Sequence, residues 1–392
     1  MIAATKRTSV NRNIKLLYWF NFLTDFRLYG PFAIIYFSEI AGSYVLGMGI
    51  FSLTQLTSAF FELPTGVLSD RIGRRKTIIL GAVFSSTAIL CYAAAPGAII
   101  LFLGGFMEGI ARSLYSGNNA AMLFDTLAEE DNESSYHHYF GRMSAMYQVA
   151  LGIAALLGGL VGVYSLNLVM WLSLPPQLCA LGLSFWFVEP KRTENKKTGS
   201  LHHLFEAVAH MRKNPRLMWL TVAQSVSFGF GEAKFQFTSA FFLTLWPLWA
   251  IGLLRSVANA LAATGFWIAG HVIDRFQHLR VIIFCGVAGN FFNLVGVLLA
   301  NMFSPLIIVA PSVLYGLSTT ARNHLFQQNF TDEQRATLGS IVSLLGSVVF
   351  AFAAFLIGWL ADSYGAQAAM VIAIIIQALV IPIYVILFRS SE

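Results

Sequence analysis

The chain has 392 residues, 57% of them hydrophobic and 11% charged, with a mean hydropathy of +0.67, whereas soluble domains carry about 25% charge. This excludes an ordinary soluble protein. At about 20 apolar residues per bilayer crossing there is room for about a dozen spans with short loops, and none for a large soluble enzyme domain. A net charge of +6 would suggest nucleic acid only if the cations formed one solvated patch, and their spacing gives no such patch.

Apolar runs and their Gly, Pro and charge punctuation predict twelve helical spans near 14–38, 44–68, 77–95, 97–124, 142–164, 168–188, 217–240, 246–273, 281–300, 304–326, 336–361 and 366–388. At the N-terminus lie Lys6, Arg7, Arg12 and Lys15, and the stretch that follows holds Asp25, Arg27 and Pro31 with no small-residue cleavage site. A removable signal peptide is therefore not expected. After span 2 the chain reads GVLSDRIGRRK (Gly66 to Lys76). Span 4 contains Glu108 and Arg112, and span 5 carries closely spaced glycines in GIAALLGGLVG (Gly152 to Gly162). The longest break, 189–216, holds Pro190, the run KRTENKKTGS and seven basic against three acidic residues. It reads as a linker, and 201–211 within it as a short amphipathic helix lying on anionic lipid. Span 7 carries Glu232 and Lys234 and span 8 carries Arg255, followed by GHVIDRFQHLR (Gly270 to Arg280). Span 10 adds Arg322 and His324, and span 12 is broken only by Gln377 and Pro382.

Basic residues near span ends are retained on the cytoplasmic side. With both termini inside, cytoplasmic segments hold 20 of the 25 Lys and Arg, and the other five lie within spans, leaving none in the outer loops. Short loops favour a bacterial inner membrane. Cys91, Cys179 and Cys285 are far apart in apolar runs and read as buried filler. The pairs His137-His138 and His202-His203 lack placed partners, so neither a metal site nor a cofactor is expected.

Gly, Asp-Arg and a final cation recur in the two loops at one offset of 204 residues, which points to a duplicated bundle. The expected organisation is all-α: a six-helix bundle over 1–188, a cytoplasmic linker over 189–216 and a second six-helix bundle over 217–392, related by pseudo-symmetry.

Gly66-x-x-x-Asp70-Arg71-x-Gly73-Arg74-Arg75 resembles the loop 2–3 signature of the major facilitator superfamily, with Gly270, Asp274 and Arg275 as a weaker second copy. FELPTG (Phe61 to Gly66) and SGNNAAMLFDTL (Ser116 to Leu127) resemble its bacterial members grouped with drug/proton antiporters. The resemblance implies two bundles that rock about a site near the membrane midplane, with Gly66, Asp70, Arg71, Gly73, Arg74, Arg75, Asp125, Asp274 and Arg275 in gating roles. In the family the signature Asp faces the N-terminal end of span 11, here Asp70 toward Ala336 and Thr337, its arginines reach Asp125 at the end of span 4, and Gly66 lets spans 2 and 11 approach. Family antiporters often carry a Gly-Pro pair in span 5. This chain has no proline there, which supports close packing of that span and not antiport. The family's span 4 arginine is matched approximately by Arg112.

Charge at membrane depth costs at least about 2.5–3.5 kcal/mol and normally faces protein or water. Asp25, Arg27, Glu108, Arg112, Glu232, Lys234 and Arg255 lie deep, and Arg322 nearer the inside. The family's innermost spans are 1, 4, 7 and 10. At helical spacing, Asn21, Asp25, Tyr29 and Tyr36 form a stripe on span 1, and Glu108, Arg112, Tyr115 and Asn119 one on span 4. Thr221, Ser225, Glu232, Gln236 and Ser239 share a face of span 7, Arg255 and Asn259 one of span 8, and Ser312, Tyr315, Thr319 and Arg322 one of span 10. Five polar faces are expected to meet at an aqueous cavity. Glu108 can pair with Arg112 in its own helix. Asp25 and Arg27, like Glu232 and Lys234, point apart, so one member of each is free for substrate, coupling or the opposite bundle. Asp25 and Glu232, with His324 third, are the candidates for proton coupling.

These charges sum to a small excess of cations, which favours a polar anionic or zwitterionic small molecule carried by a proton-coupled secondary transporter. A multidrug/proton antiporter is the alternative, and a non-transporting receptor or sensor the alternative of another class. No HExxH, GxSxG or phosphate-binding loop is present, so an enzyme is not expected. A monomer in the bilayer with protons and a small-molecule substrate as partners, and no nucleic acid, completes the reading.

Overall fold

The computed structural model describes residues 2–129, 132, 135–190, 215–328 and 332–389. The linker from 191 to 214, with its amphipathic stretch and histidine pair, lies outside them, as do the side chains of His324 and of residues 332–338. The described residues fold as helices joined by short turns: α1 (Ile2–Asp25), a 3-10 turn (Gly30–Phe32), α2 (Ala33–Ala41), α3 (Tyr44–Ile72), α4 (Arg74–Ala93), α5 (Ala98–Tyr115), α6 (Asn118–Ala128), α7 (Tyr136–Gly162) and α8 (Leu166–Ser184). Then follow α9 (Pro215–Leu243), α10 (Leu248–Phe276), α11 (His278–Leu299), α12 (Ser304–Val309), α13 (Ser312–Gln328), α14 (Asp332–Tyr364), α15 (Ala366–Ala378) and α16 (Ile381–Arg389). Among the described residues ten helices are long and apolar enough to cross a membrane. The predicted spans without such a helix are the first and seventh, which carry Asp25 and Arg27, and Glu232 and Lys234. This is the anatomy of a multi-pass integral membrane protein.

Two of the predicted spans break where continuous polar stripes were expected. α1 stops at Asp25, and helix resumes only at Gly30, because Pro31 has no N–H for the carbonyl of Arg27 and its ring would clash with that carbonyl in a continuous helix. The amide of Arg27 bonds the carbonyl of Asp25 at 2.8 Å, and its Nε donates to the carbonyl of Thr24 at 2.9 Å, so freed backbone groups are satisfied locally. Asn21, Asp25, Tyr29 and Tyr36 therefore do not share one helix face. In the fourth span α5 ends at Tyr115, Gly117 adopts φ +70° and α6 restarts at Asn118, which separates Asn119 from Glu108, Arg112 and Tyr115. Spans 10 and 12 are also split, ahead of Ser312 by Pro311 and at Leu379–Val380 just before Pro382. The stripe Ser312, Tyr315, Thr319, Arg322 lies wholly within α13.

Contacts group the chain into two units, one of residues 1–32 with 53–196 and one of 33–52 with 197–392. In the first, α4 lies against α5 and α8, and α1 against α7 and α8, around Leu17, Phe20, Ile78, Met122 and Phe187. The span 5 glycines act here: a Cβ on Gly158 of α7 would run into the carbonyl oxygen of Leu28, so only glycine admits the broken end of span 1. Gln177 of α8 braces the same end, donating to the carbonyls of Leu23 (3.2 Å) and Thr24 (3.0 Å) while accepting from Ser85 Oγ at 2.8 Å. In the second unit α9 lies against α14 and α15, and α13 against α10 and α11, with Ala223, Ala269, Ile282, Cys285 and Ala321 in the core. The amides of Tyr44 and Val45 donate to the two carboxylate oxygens of Asp362 at 2.8 and 2.9 Å, a cap on the positive end of α3. Cys285 is buried, but Cys179 is exposed on α8, a correction to its reading as filler: in a membrane the outer surface is as apolar as the core.

Candidate functional site

In the first unit the polar groups gather on Glu108, which is only 4% exposed. Its Oε1 takes Nη1 of Arg27 in a short ion pair, and Nη2 and Nε of Arg112 at 2.7 and 3.1 Å. Its Oε2 accepts from the hydroxyls of Tyr92 at 2.8 Å and Tyr29 at 3.5 Å. The break at Phe26–Tyr29 allows this, because it releases Arg27 from helical geometry to reach α5. Glu108 is thus a fully bonded carboxylate with two cations, the arrangement that makes a buried charge tolerable. Asp25 forms no ion pair within 4.0 Å among the described residues, though the charges of Arg27 and Arg112 act on it. Nδ2 of Asn119 donates to Oδ1 of Asn21 at 3.2 Å and ties α6 to α1. Tyr115 instead packs its ring edge-on to Phe20 at 5.5 Å, and its hydroxyl is buried without a partner. Tyr92 was absent from the sequence-derived site; a tyrosine inside an apolar run is a weak signal.

The second unit has the opposite balance. Arg255 is 7% exposed, yet its guanidinium is held by neutral groups. Nε and Nη2 donate to Ser239 Oγ at 3.1 and 3.0 Å, and Nη2 to the carbonyl of Phe235 at 2.6 Å, and the ring of Phe235 lies under it at 4.3 Å. Lys234 donates to Oε1 of Gln377 at 2.7 Å, turning toward α15. Glu232 accepts from Nε2 of Gln236 one turn on, at 2.7 Å. Asn259 follows Arg255 by one turn and is partly buried. Among the described residues Arg322 reaches only Thr319 at 3.5 Å, its buried Nε without a partner among them, beside a cavity of about 10 Å³ lined by Leu220, Gln224, Leu325 and Tyr384. No acid neutralises Lys234, Arg255 or Arg322 by direct pairing among the described residues. Phe235, Ser239 and Gln377 were the partners that sequence could not assign, since each depends on which neighbour faces it.

The loop signature forms a network of its own. Arg74 pairs with Asp125 at 3.2 Å and with Asp70 at 3.1 Å, and its Nη1 donates to Ser69 Oγ at 2.8 Å. Arg71 is exposed, and Gly66 has no described atom within 4 Å of its Cβ position. Gly73 adopts φ +102° at the start of α4. Glu189, predicted as linker, closes this network: its two carboxylate oxygens accept from the amides of Arg74 (2.6 Å) and Arg75 (2.9 Å). Arg75 also donates to the carbonyl of Phe185 at 2.8 Å. In the second copy Asp274 and Arg275 are exposed, and Gln277 takes the place of Gly73 with φ +66°.

Comparison with known proteins agrees with this architecture. The Na(+), Li(+), K(+)/H(+) antiporter of Planococcus maritimus is 28% identical over 196 residues, 47% of this chain and 44% of that protein. The class G tetracycline resistance protein of Vibrio anguillarum is 27% identical over 124 residues, 32% of this chain and 30% of that protein. The chain thus spans less than half the length of these curated relatives. A crystal structure of a variant of the nucleoside transporter NupG superposes with a TM-score of 0.82, covering 96% of this chain and 100% of that one, at 12% identity. That likeness shows the fold alone. The sequence profile of the Major Facilitator Superfamily matches residues 16–348, and the chain belongs to that superfamily.

Proposed function

We propose that this protein is a secondary active transporter that works by alternating access and moves a polar anionic or zwitterionic small organic metabolite, coupled to protons. One observation carries the substrate class. The carboxylate of Glu108 is consumed by Arg27 and Arg112, whereas among the described residues Lys234, Arg255 and Arg322 are held by neutral acceptors only. Burying an unpaired cation costs several kcal/mol, and a solute that brings the missing anion recovers part of that cost. Asp25 and Glu232 support proton coupling, since each is a partly buried carboxyl without an ion pair. His324, on the same helix as Arg322, is the third candidate.

In this reading the two bundles, 1–188 and 217–392, rock about the charged residues. Asp70, Arg71, Gly73, Arg74, Arg75 and Asp125, with Asp274 and Arg275, govern the cytoplasmic side. Both termini lie in the cytoplasm, as the distribution of Lys and Arg supports, and the membrane is a bacterial inner one, as the short loops favour. A second reading, export of lipophilic compounds in exchange for protons, is favoured by the tetracycline resistance relative. Flux into vesicles reconstituted with the purified protein decides between them. Uptake of organic anions and zwitterions, lost in Asp25→Asn and Arg112→Ala with folding intact, is the expected result. Transport of cationic dyes with none of polar acids would overturn the substrate class.

A further inference from the structure

Within the second unit Arg255 reaches the carbonyl of Phe235, three residues along α9 from Glu232, yet no nitrogen–oxygen pair between Arg255 and Glu232 falls within 4.0 Å. Each is anchored from one side and open on the other. Ser239 and the Phe235 carbonyl occupy Nε and Nη2 of Arg255, and Nη1 donates to no described group without being sealed from solvent. Gln236 occupies Oε1 of Glu232, and Oε2 is likewise free and unsealed. Glu232, Gln236 and Ser239 follow one another at four and three residues along α9, so one helix face fixes both anchors. A cation and an anion at membrane depth that stop short of pairing leave two desolvation costs uncompensated.

The geometry points to a head-group site for a zwitterion. The solute's carboxylate sits on Nη1 of Arg255 and its ammonium on Oε2 of Glu232, with Ser239, Phe235 and Gln236 as positioning residues. This rests on the transport reading above and narrows it, because a lone anion would leave Glu232 unanswered and a lone cation would leave Arg255 so. The ring of Phe235 under the guanidinium offers an apolar wall to the body of such a solute.

The test is ligand-dependent thermal stability of the purified full chain with L-alanine and three solutes of one aromatic body: L-phenylalanine, 3-phenylpropanoate and phenethylamine. A ligand that prefers the folded state raises the apparent melting temperature. The expected result is stabilisation by an amino acid that exceeds either single-charge analogue. Arg255→Gln should weaken the amino acid response by about tenfold or more and remove that to the acid, and Glu232→Gln should do the same for the amine. Arg255→Lys keeps the charge where Arg255→Gln fails to fold, and Ser239→Ala should weaken acid binding while leaving the amine response in place. Amino acids no better than their single-charge analogues, no response to either amino acid, or responses unchanged in the variants would overturn the site. Binding without flux in vesicles would leave the site standing and sink the transport reading. Flux indifferent to both residues would do the reverse.

Discussion

At the scale of single residues, the difference between Glu108 and Asp25 is the sharpest consequence of the fold. Both are acids in predicted spans, and the sequence offers Glu108 one partner, Arg112 at i, i+4, and Asp25 none on its own face. The structure gives Glu108 two guanidinium partners and two tyrosine hydroxyls, and gives Asp25 no ion pair among the described residues. Removing Glu108 strands Arg27 and Arg112, which places the loss for Glu108→Ala at about 3–5 kcal/mol. Asp25→Asn removes a partly desolvated charge that no described residue pairs with, so it should not lower stability. Thermal unfolding of the two variants in detergent checks this: a large fall for the first and almost none for the second. Legibility in the sequence was uneven for the same reason. The i, i+4 spacing announces the Glu108–Arg112 pair, because a helix brings such residues together wherever it lies. The Arg27–Glu108 pair spans 81 residues and depends on a helix break whose cause, Pro31, was visible but whose direction was not.

At the scale of helices, two features turn local backbone into measurable stability. Gly158 has no room for a side chain beneath the Leu28 carbonyl, so Gly158→Leu must push α7 off the end of span 1. The expected cost is about 1–3 kcal/mol, read as a lowered melting temperature, whereas Gly152→Leu, with nothing described within 4 Å of its Cβ position, should be tolerated. The duplicated loop supplies the second. Gly73 and Gln277 stand 204 residues apart, cap α4 and α11, and share ψ near 150° at positive φ. That region is essentially glycine territory, costing a side chain about 1–3 kcal/mol. Gln277→Gly should therefore raise stability by about 1 kcal/mol after the entropy gained by the unfolded chain is deducted. Gly73→Gln should lower it, since its Cβ would sit 2.7 Å from Glu189. The repeat was legible because it is written in residue types at a fixed spacing. That Gln277 repeats the backbone of Gly73 was not, because only the coordinates show which conformation the second copy keeps.

At the scale of the whole molecule, the apolar runs and the distribution of Lys and Arg make a topological prediction that needs no side-chain geometry. A cysteine introduced at Ser200, in a version lacking the three native cysteines, should react with a membrane-impermeant maleimide in inside-out vesicles and not in right-side-out ones. Labelling from the outer side would reverse the orientation proposed above. The sequence alone determined the membrane class, ten of the apolar helices, the internal repeat and the identity of the charges within the predicted spans. These depend on composition and on short-range periodicity, which the bilayer enforces span by span. Tertiary structure decided which buried charges are neutralised, that Glu189 and Asp362 cap the helices starting at Arg74 and Tyr44, and that residues 33–52 group with the C-terminal half. Partner choice at long sequence separation is set by which helix faces pack together and where a helix breaks, and neither is encoded in the local pattern from which spans are read.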